Sequence, residues 1–213
     1  MTKLELNKQA VLDKVSLAHR TCFDGFLNRD IEELKSVKNI LKGLEESSND
    51  LDDKIITVVS LFGPEAKDLR ELIALLKIVN ELVRIGNDTR TCANKTILLL
   101  EESYDFNGVS KNLTILFQIT INTLNIVYDA LVNNNTEDFS DMYRKVKIEE
   151  TKSDDICAIL EKEIYDQNPK NELSKTSLNL LSIIKKLERS ADHITNIAHL
   201  IEYSKLGGKI KTY

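Results

Sequence analysis

Apolar residues recur every three or four positions along most of the chain, which is the spacing typical of amphipathic α-helices. The pattern is clearest near the C-terminus, where one apolar stripe follows a 4-3 spacing. Its members are Leu180, Ile184, Leu187, Ala191, Ile194, Ala198 and Ile201. The pattern predicts an all-α protein in which each helix buries one face and exposes the other.

Short polar breaks divide this pattern into six predicted helices. Asp30 is expected to cap the second helix, with Glu33 as its capping-box partner. Pro64 suits the first turn of the third helix. The tail that begins at Gly207 is expected to fray through Gly208 and Lys209. The six helices are expected at about residues 4–27, 31–62, 64–100, 110–132, 137–165 and 170–205.

The composition supports helices over sheets. The 213 residues include only 7 glycines and 2 prolines, too few for the frequent turns of a β-sandwich or barrel. Hydrophobic residues make up 42% of the chain and charged residues 30%, which is enough apolar material for a packed core.

The spacing of several residues repeats between the two halves of the chain. The breaks at Pro64 and Pro169 lie 105 residues apart. The same offset relates Leu82, Arg84 and Ala93 to Leu187, Arg189 and Ala198, and an ExxxD pair recurs after 104 residues. This repetition predicts an internal duplication, with one three-helix bundle over residues 1–106 and a second over residues 107–213.

Charge and cysteine usage narrow the functional classes. The formal net charge is −5, so the basic face that a nucleic-acid partner requires is not expected. We expect no signal peptide and no membrane-inserted segment. The three cysteines, Cys22, Cys92 and Cys157, are scattered without metal-binding spacing and are expected to be reduced and buried in a cytoplasmic protein.

Two pairs of carboxylates have helical spacing. Glu188 and Asp192 share one face of the sixth predicted helix, and Glu150 and Asp154 share one face of the fifth. If these faces meet, four carboxylates converge, and two unit charges ~4 Å apart repel by ~4 kcal/mol at an effective dielectric of 20. A cation, an arginine or protonation would have to offset this repulsion. An oxygen-rich cluster suits Mg, Ca, Mn or Fe.

The alternative is that both pairs point into water as ordinary solvated helix faces. The histidines add little to the metal hypothesis. His193 and His199 are six residues apart and do not share a helix face, and His19 is isolated. Each is expected to be a hydrogen-bonded or exposed histidine without a ligand role.

Residues 187–198 read L-E-R-S-A-D-H-I-T-N-I-A, which resembles the L-E-R-x-x-D-H-x-x-N-I-A motif of the PhoU family of phosphate-uptake regulators. Residues 82–88 form a weaker copy, followed by Cys92-Ala93. Upstream, residues 68–70 match the family's D-L-R. The resemblance covers essentially the whole chain, including the duplication.

The resemblance implies metal clusters held by E(D)xxxD pairs on two helices of each bundle. In the second half the implied ligands are Glu150, Asp154, Glu188 and Asp192. A divalent or iron-type metal is therefore expected there.

In the first half Glu46 and Asp50 match the pattern, but the facing positions hold Val83 and Asn87. We expect this site to bind metal weakly or not at all, with Arg84 pairing with Glu46 or Asp50. Asp88 lies ~100° further around its helix, so it is a poor substitute ligand.

The resemblance also implies a function. Family members are cytoplasmic, usually dimeric regulators that restrain phosphate uptake and phosphate-starvation gene expression. They contact the ATPase of the phosphate ABC importer and, in many bacteria, a sensor kinase. Related modules accompany sodium–phosphate cotransporters, so a partner of that type stays open.

Two alternatives to this regulator remain. A carboxylate metalloenzyme of the di-iron type would need Glu-x-x-His pairs, and no glutamate here is followed by histidine at that spacing. A purely structural helical adaptor is the other alternative. We therefore expect a non-enzymatic regulator.

Overall fold

The computed structural model describes residues 3–133, 136–166 and 173–207, with side chains from residue 7 onward. Within these ranges it contains seven α-helices and no strand, which confirms the all-α prediction. The helices are α1 (Lys3–Asn28), α2 (Ile31–Ile40), α3 (Leu44–Phe62), α4 (Ala66–Glu101), α5 (Ser110–Tyr128), α6 (Phe139–Asp166) and α7 (Lys175–Leu206).

The two longest helices, α4 and α7, pack along each other and join the two repeats. They are antiparallel, because Lys95 near the end of α4 contacts Asn179 near the start of α7, whereas Glu71 contacts Lys205. Helix α1 packs on α5 in the same way, and α3 and α6 lie against α4 and α7 respectively. The buried apolar residues form one continuous core that includes both halves.

The second predicted helix is wrong as a single element, because the chain breaks into α2 and α3. Gly43 has φ +74°, a left-handed conformation that ends the regular helix and that glycine adopts without strain. The cap at Asp30 is confirmed, since its carboxylate accepts from the backbone N–H groups of Glu32 and Glu33 at 2.9 and 3.0 Å. The capping box is not formed, because the Asp30 N–H donates to the Gly25 carbonyl.

The remaining boundaries lie close to the predictions. Gly63 has φ +50° and ends α3, but α4 begins at Ala66, so Pro64 precedes the helix and is not part of its first turn. Helix α5 begins at Ser110 and passes into a π-helical turn, Asp129–Asn133. The break predicted between the fourth and fifth helices covers residues 133–136, of which 134 and 135 lie outside the described residues. The break at residues 168–169 and the tail from residue 208 also lie outside them.

The apolar stripe of α7 is confirmed, since all seven of its members are buried. The three cysteines are also buried and unpaired, as expected. The small residue Gly86, in the middle of the corresponding stripe of α4, has a clear packing role. A Cβ atom there would lie 2.5 Å from Cδ2 of Leu44 and 3.3 Å from Cδ2 of Leu41. Gly86 thus lets the turn between α2 and α3 approach α4 closely.

Helix α5 and its π-helical turn form a long apolar segment that the sequence analysis did not single out. Residues Ser110–Asn133 are long and apolar enough to cross a bilayer by length and composition alone, and an 18-residue window within them has a mean hydropathy of 1.4. Part of the apolar surface of this segment is buried by packing on α1, α6 and α7. However, only 44% of the apolar window is buried in the protein.

Replacing Gly86 with valine should destabilise the protein by about 1–3 kcal/mol, because the new side chain overpacks the contact with Leu44. Urea unfolding followed by circular dichroism measures the loss. Asn80→Val, on the exposed face of the same helix, is the control and should change stability by about 0.5 kcal/mol or less. Equal effects of the two substitutions would contradict the packing role of Gly86.

Candidate metal centre

Three of the four predicted second-half ligands lie together between α6 and α7. One carboxylate oxygen from each of Glu150, Asp154 and Asp192 lies within 4.8 Å of the other two. Glu150 and Asp154 are one helical turn apart on α6, and Asp192 faces them from α7. Glu150 is buried, whereas the two aspartates are exposed. The arrangement offers a cation three oxygen ligands from two helices.

Glu188, the fourth predicted ligand, is engaged by a lysine. Nζ of Lys185 lies 2.8 Å from Oε2 of Glu188 and 2.6 Å from Oε1 of Glu161. These hydrogen bonds, first to Glu161 and then to Glu188, raise the pKa of Lys185. Lys147 plays a similar part at the other end of the cluster, where its Nζ donates to Oε1 of Glu150 at 2.6 Å. The two lysines therefore offset part of the negative charge.

The two aspartates still carry unfavourable charge. Partial burial, followed by the neighbouring carboxylates, raises the pKa of Asp154. The same causes in the same order raise the pKa of Asp192. A raised carboxyl pKa means that the surroundings disfavour the ionised form. A cation bound among these oxygens would reverse this preference and displace protons, so binding should weaken as the pH falls.

The donor set fits a hard or intermediate cation. All three available ligands are carboxylate oxygens, which suit Mg, Ca, Mn or Fe. Cys157 lies on the same helix, but burial raises the pKa of its thiol to about 12. Its sulfur is not part of the carboxylate cluster, so the cluster lacks the thiolate ligands typical of structural zinc sites.

The first repeat has no comparable cluster among the residues the structure describes. Glu46 and Asp50 are exposed on α3. Asn87 accepts a hydrogen bond from Arg90 at 3.2 Å. The predicted pairing of Arg84 with Glu46 or Asp50 is wrong, because Arg84 contacts Glu81, one turn earlier on its own helix, at 3.4 Å.

A buried charge network between α4 and α7 was not anticipated from the sequence. Oδ1 of Asp88 lies 2.7 Å from Nζ of Lys186, and Oδ2 lies 3.9 Å from Nε of Arg189. Two turns away, Nδ1 of His193 contacts Oε2 of Glu81 at 2.6 Å. The 105-residue offset relates Glu81 to Lys186 and Asp88 to His193. The contact between Asp88 and Lys186 and the contact between Glu81 and His193 are therefore equivalent by repeat symmetry, with both acidic residues on α4 and both basic residues on α7.

The 105-residue offset is the sequence signal that could have indicated this network. The network was not predicted, because it joins residues that lie far apart in the sequence. The other two histidines have ordinary roles. His19 is buried between the hydroxyls of Thr89 and Thr120, and burial lowers its pKa to about 4. His199 is partly exposed and packs its ring at a tilt against Tyr143.

The sequence model of the PhoU domain matches this chain twice, at residues 10–96 and 113–201. The chain belongs to the PhoU family. The resemblance inferred from the motif is thereby confirmed. The two matched PhoU domains correspond to the two halves that the repeat spacing predicted, while the boundary between residues 106 and 107 stays a prediction.

Two relatives match most of this chain. A Thermotoga maritima protein, named phosphate-specific transport system accessory protein PhoU homolog 1, is 25% identical over 195 residues, covering 88% of this chain and 82% of its own. A Borreliella burgdorferi protein, named phosphate-specific transport system accessory protein PhoU homolog, is 26% identical over 217 residues. The match covers 98% of this chain and 95% of the relative's own.

Solved PhoU structures share the fold. The crystal structure of PhoU from Pseudomonas aeruginosa matches with a TM-score of 0.87 at 20% identity, covering 96% of each chain. A phosphate transport system regulatory protein PhoU from Streptococcus pneumoniae matches with a TM-score of 0.84 at 21% identity, covering 99% of this chain and 97% of its own. At these identities the structural match establishes the fold alone.

Replacing Asp88 with alanine should destabilise the protein by about 2–4 kcal/mol, because Lys186 loses the partner of a largely buried pair. Chemical denaturation of the two proteins measures the change. Glu32→Ala breaks an exposed pair with Lys35 and should cost about 1 kcal/mol or less. A loss for Asp88→Ala no larger than that of this control would show that the network adds little to the joining of the repeats.

Proposed function

We propose that this chain is a non-enzymatic regulator that restrains phosphate uptake and phosphate-starvation signalling. The observation that carries the proposal is the match of both repeats to the PhoU domain over most of the chain. The accessory-protein names of the Thermotoga and Borreliella relatives support it. We place the protein in the cytoplasm, where it acts as a homodimer.

The regulator acts by binding other proteins. Its proposed partners are the ATPase of a phosphate ABC importer, a sensor kinase, or both. A surface of long, rigid helices suits this role, because rigid elements present side chains to a partner with little loss of conformational entropy. No nucleic acid is involved, in keeping with the net charge of −5.

A divalent or iron-type cation is proposed as a structural element of the second repeat. Glu150, Asp154 and Asp192 would hold it, and the close approach of their oxygens together with the raised pKa values of both aspartates supports this assignment. The cation would tie α6 to α7 by neutralising carboxylates from both helices. Glu188 would join only after exchanging Lys185 for the metal.

Loss of the gene should raise phosphate uptake and starvation-gene expression in cells grown in ample phosphate, because the restraint on the importer is gone. Radiolabelled phosphate uptake and transcript levels in a deletion strain measure the effect. Complementation with the intact gene should restore parental values. Uptake and transcript levels equal to the parent would contradict the proposed function.

Partner identity can be tested separately from the deletion phenotype. The tagged protein, immobilised from its own cell lysate, should retain the transporter ATPase or the sensor kinase, identified by mass spectrometry. A bead-only sample and an unrelated helical protein serve as controls. If neither protein is recovered from cells shown to contain both, the result would contradict the regulator and favour the purely structural helical adaptor.

Metal content should depend on the second repeat alone. Asp154→Asn with Asp192→Asn should remove most of the bound metal, because one oxygen ligand is lost from each helix. Glu188→Gln should have a smaller effect, since Lys185 already engages this residue. Elemental analysis of protein purified after growth with added Mn and Fe gives the metal content.

The matched control is Glu46→Gln with Asp50→Asn in the first repeat, which should leave the metal content nearly unchanged. Equal loss in this control would contradict the asymmetry between the repeats. Wild-type protein without metal under these conditions would show that the carboxylate cluster is not a metal centre.

A further inference from the structure

The outward face of α5 lacks charge along nearly its whole length. No charged side chain occurs between Lys111 and Asp129. Gln118 and Asn122 are exposed, and Ile115 is partly exposed. At ~100° per residue these positions share one face of the helix. A solvated helix face normally carries charged residues, so this stripe differs from an ordinary surface.

The two charges that bound the stripe are placed against the helix dipole. Lys111 lies in the first turn of α5, where a helix favours acidic residues, and Asp129 lies at its C-terminal end, where a helix favours bases. Both side chains are exposed, and no ion pair within the described part of the chain includes either. Their positions therefore do not stabilise the isolated helix.

The first repeat provides an internal comparison. The 105-residue offset places Asp13, Leu17, Arg20 and Asp24 of α1 at the positions of Gln118, Asn122, Asn125 and Asp129. All four of these α1 residues are exposed, and three are charged. The fold therefore accepts a charged stripe at this location, and the uncharged stripe of α5 needs another explanation.

Charged residues border the stripe on both sides. A groove of about 470 Å³ runs between α5 and α6, and its α6 wall includes Glu149, Lys152 and Asp155. On the other side Arg20 of α1 donates to Asn125 at 2.5 Å. An uncharged centre inside a charged rim is the usual composition of a protein–protein interface. The exposed amides at the centre do not suit a lipid surface, where unpaired polar groups are costly.

We propose that α5 is the dimer interface of this protein, packed antiparallel on α5 of a second copy across a two-fold axis. In one register Lys111 faces the partner's Asp129, and Gln118 faces the partner's Asn122; both pairs are centred on residue 120. A charge beside such an axis would meet its own copy, which explains why the centre is uncharged. The two ion pairs also place each charge beside the oppositely charged end of the partner helix.

This assignment rests on the homodimer proposed above, and a charge-swap cycle tests it. Lys111→Glu and Asp129→Lys should each raise the dimer dissociation constant about tenfold or more, because each turns two attractions into two repulsions. The double substitution Lys111→Glu with Asp129→Lys should restore it to within about threefold of wild type, because the pairs are re-formed with reversed sign. Sedimentation equilibrium of the full chain measures all four constants.

Two further variants keep the test independent of folding. Asn122→Glu places like charges near the axis at an exposed position and should also favour the monomer. Asp24→Lys makes the corresponding change on α1 and should leave the dimer intact. Circular dichroism should show wild-type helix content in every variant.

The outcomes separate the two levels of the proposal. The α5 interface would be overturned if the single substitutions left the dissociation constant of the dimer unchanged. It would also be overturned if the double variant showed the added free-energy losses of the two single variants. Wild-type protein that stays monomeric at high concentration would overturn the homodimer as well. Neither result bears on phosphate regulation, which the deletion strain tests by itself.

Discussion

The antiparallel contact between α4 and α7 is the interaction on which the rest of the structure depends. Each helix carries a buried apolar stripe toward its neighbours, and the stripes meet in one continuous core. Two largely buried polar contacts cross the same interface, the ion pair between Asp88 and Lys186 and the hydrogen bond between Glu81 and His193. A buried ion pair stabilises a protein only in a narrow geometry, so these contacts constrain how the two helices align along their length.

Duplication has produced two repeats with one architecture and different surface chemistry. In the second repeat, carboxylates on α6 and α7 converge, and Lys147 and Lys185 offset part of their charge. In the first repeat the facing positions are Val83 and Asn87, so the repulsion that would require a cation does not arise. Within the described part of the chain, the convergence of carboxylates from two helices is thus confined to the second repeat.

The outer helices show the same divergence. Helix α6 is continuous, whereas its first-repeat counterpart is divided into α2 and α3 at Gly43. Gly86 accommodates the resulting turn, while the equivalent position in α7 is Ala191. On the surface, α1 presents a charged stripe, whereas the corresponding stripe of α5 is uncharged between Lys111 and Asp129. Because the core contacts are shared, such differences change what each repeat presents to a ligand or partner without changing the fold.

The features that depend on local spacing follow from the amino-acid sequence alone. A 3.6-residue period predicted the helices, apart from the division between α2 and α3, and the buried stripe of α7. The repeated segments indicated the duplication, and the motif at residues 187–198 indicated the PhoU family. The i,i+4 spacing also placed Glu150 with Asp154 on one helix face. These inferences succeeded because a single helix decides which of its own residues share a face.

Which helix faces meet depends on how the helices pack in three dimensions. The tertiary structure brought Asp192 to Glu150 and Asp154, held Glu188 against Lys185, and paired Asp88 with Lys186. These contacts join side chains on different helices or choose between competing partners, and small rotations of packed helices change them. Local periodicity carries no information about such rotations, because the whole core sets them together.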